Sequence, residues 1–192
     1  MKYFYWVLCL LLAGCQPESP PLETYSAEDF KSEIDELKSP SQRGIYLEKI
    51  LRTDQKVKKE ETKIIQTTGY NSKEHKIIRQ KSLQTDNINF PKVEQYLKTH
   101  GYPIANREGI EAAATPLYII HHNNDIAYRN NLFPILYQAF LRNDIQDREM
   151  ALYLNRSHEL KFGNVLTIPN PFTRAAQIDS LIKRLELSTL SN

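Results

Sequence analysis

From Ser26 onward, apolar positions recur at helical spacing along most of the chain. Ser26 with Asp29 makes a capping-box pattern, and Phe30, Ile34 and Leu37 follow on one face of a helix that Pro40 is expected to end. A second helix is predicted from about Gln42 to Lys58, with Tyr46, Ile50 and Val57 turned inward. Gly69-Tyr70-Asn71 marks a turn, and Ser72 is placed to cap a helix reaching toward Leu83. Another amphipathic segment carries Val93, Tyr96 and Leu97 and stops at His100-Gly101-Tyr102-Pro103. The clearest pattern spans Leu132 to Arg142, where Phe133, Leu136, Tyr137, Phe140 and Leu141 form a stripe wide enough to be core. Asp147 to Asn155 and Arg174 to Leu187 read as two further helices. Between them an irregular, proline-containing loop is expected near 163–173, because Pro169 and Pro171 cannot continue either element. Val165 to Ile168 is the best short strand candidate. The expected fold class is all-α, a single compact multi-helix domain over 26–192.

The first residues follow another pattern. Met1-Lys2 is followed by a short apolar run from Tyr3 to Leu12, then Ala13-Gly14-Cys15. A positive end, an apolar stretch and small residues before a cut describe a secretory signal over 1–14. The run is well short of the roughly 20 residues that span a bilayer. Leu12-Ala13-Gly14-Cys15 resembles the lipobox of bacterial lipoproteins, which implies lipidation of Cys15. Residues 15–25, with Pro17, Pro20 and Pro21, then read as a flexible tether. The expected location is the cell envelope. Gln16 follows the cysteine where an inner-membrane retention signal would carry aspartate, so a Gram-negative cell would hold the protein at its outer membrane.

Composition narrows the chemistry. The 192 residues suit one domain with its own core. The formal charge is +2, from 25 basic and 23 acidic residues, with no block of like charge long enough to follow a phosphate backbone, so nucleic-acid binding is disfavoured. Cys9 falls in the signal and Cys15 is the lipidation site, which leaves no thiol nucleophile and no disulfide. Six glycines form no phosphate-cradling loop, and the Gly-x-Ser-x-Gly elbow of serine hydrolases is missing. Tyr70, Tyr96, Tyr102, Tyr118, Tyr128 and Tyr137 read as core edge rather than a binding platform.

Several short motifs, taken in order, resemble an uncharacterised family of bacterial domains found in secreted or lipid-anchored proteins. That family carries an Asp-Gln pair, a Gly-Trp-Pro turn, a Gln-His-x-Asp segment, an Asp-Arg pair and a late Tyr-Gly-Thr-Gln. Here Asp54-Gln55, Gly101-Tyr102-Pro103, His121-His122-Asn123-Asn124, Asn155-Arg156 and Phe162-Gly163-Asn164 stand in the matching places. The resemblance runs from about Gly44 to Leu190 and implies a fold more than an activity. Where the family has aspartates, this chain has Asn124 and Asn155, and amides cannot shuttle protons near neutral pH. That counts against an enzyme.

The candidate site residues follow from both readings. A ligand-binding cleft is expected from Asp54, Gln55, His121, His122, Arg129 and Arg156, the arginines being suited to an anionic group or to internal ion pairs. For an enzyme the candidates are His122 as base with Asp125 orienting it. No metal and no cofactor are expected. The weak metal candidates are His121, Asp125 and His158, because His121 and Asp125 share a helical face whereas adjacent His121 and His122 point about 100° apart. The sequence therefore favours a lipid-anchored binding or interaction module, with a membrane as one partner and an envelope protein or small molecule as another. The alternatives are a hydrolase-like envelope enzyme and a purely structural lipoprotein.

Overall fold

The computed structural model describes residues 21–164, 166 and 175–189. The predicted signal peptide, Cys15, the tether up to residue 20, the candidate strand at 165–168 apart from Leu166, and most of the proline-containing loop lie outside these residues. The fold is all-α, and no strand occurs among the described residues. A 3-10 turn (Ala27–Phe30) leads into α1 (Lys31–Asp35), followed by α2 (Pro40–Thr68), α3 (Lys73–His100), α4 (Ala105–Glu108), α5 (Ile110–His122), α6 (Ile126–Leu141) and α7 (Asp147–Phe162). A π-helical turn (Ala175–Asp179) and α8 (Ser180–Leu185) close the chain.

Local chemistry explains where these helices start and stop. The Ser26–Asp29 capping box is present. Pro40 begins α2 rather than ending α1: Ser39 caps the helix by accepting from the Gln42 N–H at 3.2 Å, and proline at the first helical position loses no hydrogen bond. Ser72 caps α3, as expected, by accepting from the His75 N–H. Gly69, Gly101 and Gly163 end α2, α3 and α7 with positive φ.

Four of the predicted helices differ in extent. α2 runs ten residues past Lys58, α3 joins two predicted helices into one, α6 begins at Ile126, six residues before Leu132, and α7 continues past Asn155 to Phe162. α4 and α5 were not drawn from the sequence as separate helices. Prolines lie inside α3 (Pro91), α5 (Pro116) and α6 (Pro134), where tertiary packing outweighs the lost backbone bond. Near Pro91 and Pro134 that packing includes tyrosine hydroxyls: Tyr128 donates to the Phe90 carbonyl at 3.1 Å, and Tyr153 to the Arg129 carbonyl at 2.9 Å.

The core is continuous. Leu47 and Ile50 of α2, Val93, Tyr96 and Leu97 of α3, Ile119 and Ile120 of α5, Phe133 and Leu136 of α6 and Met150, Tyr153 and Leu154 of α7 are all buried in one cluster. Each such side chain contributes about 1.5–3 kcal/mol through the water it sheds. Leu141 is the one member of the predicted α6 stripe on the exposed side. Of the tyrosines expected at the core edge, Tyr96 and Tyr102 are buried, Tyr128 and Tyr137 partly so, and Tyr70 and Tyr118 are exposed. At Gly44, α2 passes so close to α4 that an added Cβ would meet the Glu108 carbonyl oxygen at 2.1 Å. Arg43 and the Ile104 N–H also hold the Glu108 carboxylate there, and together they outweigh burial and lower its pKa.

α2 and α3 form a long antiparallel pair. Its inner half packs on α5 through the core, whereas its outer half, on either side of the Gly69 turn, buries only Glu61 and Ile78 and forms an exposed arm. The ion pairs of the arm run between the two helices, Lys81 with Glu60 and Arg79 with Glu61, and the His75 ring lies beside Glu61.

Candidate functional site

Where the arm leaves the body, its inner seam changes from apolar to polar. Asp54 and Lys58 of α2 are four residues apart, as are Ser82 and Asp86 of α3, so each pair shares a helical face. The two faces meet. The Lys58 ammonium donates to both carboxylate oxygens of Asp86 and to Ser82 Oγ, each at 2.9 Å, using all three of its hydrogens. Ser82 is fully buried and Asp86 nearly so. Burial raises the Asp86 pKa, the Lys58 contact opposes that shift, and the nearby charge of Asp54 adds to it.

α5 supplies the third side. Its C-terminal residue, His122, places Nδ1 3.4 Å from Asp54 Oδ1. Asp54 has no exposed surface. Gln55 Nε2 donates to its other oxygen, Oδ2, at 3.2 Å and so fixes the direction in which Oδ1 points. Neither Asp54 Oδ1 nor His122 Nδ1 has a hydrogen-bond partner, although both atoms are buried. Ligand atoms of Asp54, Asp86 and His122 all lie within 4.8 Å of one another. On its outer side Lys58 faces a surface groove of about 290 Å³, shared with Gln55, Lys59, Thr62, Lys63 and Gln66.

The sequence-derived residues divide into groups. Asp54, Gln55 and His122 converge as expected. Asp125 does not orient His122: its carboxylate caps α6, accepting from the Ala127 and Tyr128 N–H groups at 2.8 and 3.2 Å, and Asp54 stands opposite His122 instead. His121 points away from the cluster, as the helical offset requires. Burial, followed by the charges of Arg129, His122 and Arg156, lowers its pKa to about 4.

Arg129 is fully buried and lines no cleft. Its guanidinium donates to the carbonyls of Ile120 (2.9 Å), His121 (3.1 Å) and Tyr153 (2.7 Å) and to Ser157 Oγ (2.9 Å), and it lies over the Tyr153 ring at 4.2 Å. Arg156 pairs at the surface with Glu159 and with Asn124 Oδ1. His158 is buried on α7, with Nδ1 3.1 Å from the Asn164 carbonyl. Asn155 makes a two-way amide contact with the Leu166 backbone, donating at 2.7 Å and accepting at 2.9 Å. An aspartate could accept in that contact but, when ionised, could not donate.

Lys58, Ser82 and Asp86 were missed from the sequence. The signal that could have found them is polar residues at i, i+4 occupying the inward positions of a helix that remains helical. Asp86, with Asp54 and His122, also replaces the His121, Asp125 and His158 set as the group able to hold a metal. Comparison with protein-family models, with curated proteins and with solved structures finds no match to this chain.

Proposed function

We propose that this is a binding module, held at a bacterial envelope membrane through Cys15, whose ligand site is the cluster of Asp54, Asp86, Lys58 and His122. One observation carries the reading: a fully buried carboxylate keeps one oxygen without a hydrogen-bond donor, opposite an imidazole nitrogen in the same condition. Leaving such groups unsatisfied costs about 1–3 kcal/mol each. A fold bears that cost where a ligand repays it. The open atom of Asp54 is an acceptor, so the complementary ligand is a cation or a hydrogen-bond donor. The motif order from Asp54-Gln55 to His121-His122 gives independent support, since these segments are far apart in sequence and meet at one point.

The test is ligand screening by thermal shift with and without a chelator, using amines, amides and divalent salts. A hit is expected to shift the wild-type chain and to lose its effect in Asp54→Asn. Hits that persist in that variant would place the site elsewhere. For the anchor, Cys15→Ser is expected to abolish labelling by radioactive palmitate and to release the protein from the membrane fraction. Labelling that survives the substitution would remove Cys15 from the account.

The Asp54–His122 pair also supports a second reading, in which the carboxylate orients His122 as a general base. Ser82, the nearest hydroxyl in the cluster, is buried and bonded to Lys58, so the nucleophile would have to be water or a substrate group.

A further inference from the structure

The cluster has the donor set and spacing of a metal centre. Asp54 Oδ1 and His122 Nδ1 stand 3.4 Å apart, too long for a strong hydrogen bond. That separation is the edge of a tetrahedron whose centre lies about 2.1 Å from each corner, the usual distance of zinc from nitrogen and oxygen ligands. Asp86 supplies the third ligand within the same 4.8 Å set, and an ion would draw its carboxylate in toward the 3.4 Å edge. Gln55 already has the place of an outer partner, holding Asp54 so that Oδ1 faces inward.

In the absence of an ion, the cluster carries its own cation. The Lys58 ammonium lies against both oxygens of Asp86, on a flexible stem beside the groove toward Gln66. We propose that Asp54, Asp86 and His122 bind a divalent transition-metal ion of the zinc class, and that the ion replaces the Lys58 ammonium at Asp86 as Lys58 swings into the groove. This rests on the ligand-site reading above and specifies its ligand. The imidazole favours zinc or cobalt over calcium, which takes six to eight oxygens, and over magnesium, which keeps most of its water. Three protein ligands leave a position open to water or to a donor atom of a second ligand.

The experiment is titration of the full chain with cobalt(II), followed by its visible absorption bands, and with zinc(II), followed by calorimetry. One ion per chain is expected, with tetrahedral cobalt bands that zinc abolishes. His122→Gln and Asp54→Asn should weaken binding at least about tenfold, as loss of a ligand does. His121→Gln should leave it unchanged. Lys58→Met is the sharpest variant, because removing the competing ammonium should tighten binding, whereas a merely structural ion pair predicts no gain.

The proposal is overturned if the wild-type chain gives neither heat nor bands, or if Lys58→Met, still folded, binds no more tightly than wild type. The wild-type titration needs no variant to fold. If metals fail while an organic cation binds through Asp54 in the presence of chelator, the metal assignment falls and the ligand site stands. If neither binds, both fall.

Discussion

Arg129 shows what a residue type leaves unsaid. Its guanidinium was legible as a candidate for an anionic ligand, yet it faces carbonyls rather than a carboxylate and serves the C-terminal end of α5, where unpaired carbonyls and the helix dipole favour a cation. Burial lowers its pKa to about 10, which leaves it charged at neutral pH. By fixing the last turn of α5 it also fixes where His122 begins. Its neighbour His121 gives a pH prediction. A base held down to about 4 stabilises the fold while it is neutral, so that stability is whole above the ordinary histidine value near 6.5 and is lost as pH falls from there toward 4. The ring is partly exposed, so the loss is about 1–2 kcal/mol rather than the full linkage value. Asp86, raised by burial, works in the opposite sense as it takes up a proton over the carboxylate range. Urea unfolding at pH 7 and pH 4.5 should show a decline that His121→Gln makes shallower. An equal decline in the variant would assign it to other groups.

At the scale of elements, the sequence shows its helices where they are amphipathic and hides them where their inner face is polar. The apolar rhythm of α2 fades after Val57 because the next inward positions are Lys58 and Glu61. Along α3 the seam carries Ser82, Asp86 and Asn89, so two predicted segments with a gap are in fact one helix. The polar residues that hid the continuity are the ones that build the site. Pro91, Pro116 and Pro134 add to this, because sequence shows the missing N–H but not the packing that compensates for it. The same polar seam makes the arm locally less stable than the body, since few apolar side chains are buried beyond Val57. Amide hydrogen exchange should be fastest over 62–78 and slowest around Leu47–Ile50 and Val93–Leu97. Uniform protection along α2 would contradict this.

For the molecule as a whole, the all-α class and the single body were available from periodicity and length, and Asp54, Gln55 and His122 were available as candidates. Only the meeting of α2, α3 and α5 supplied Asp86 and Lys58, because pairing across 28 residues of sequence leaves no mark in either helix. The arm also gathers charge. Between Lys56 and Lys81 stand eight basic residues and three acidic ones, in a chain whose net charge is only +2.

The cluster occupies the root of this arm, and its position has a mechanical meaning. From Lys58 to Thr68 α2 extends about 15 Å, so a tilt of roughly 10° at the root sweeps the tip through about 3 Å. One small ion there acts as a pivot pin: by gripping α2, α3 and α5 together it sets the angle at which a basic lever stands out from the body.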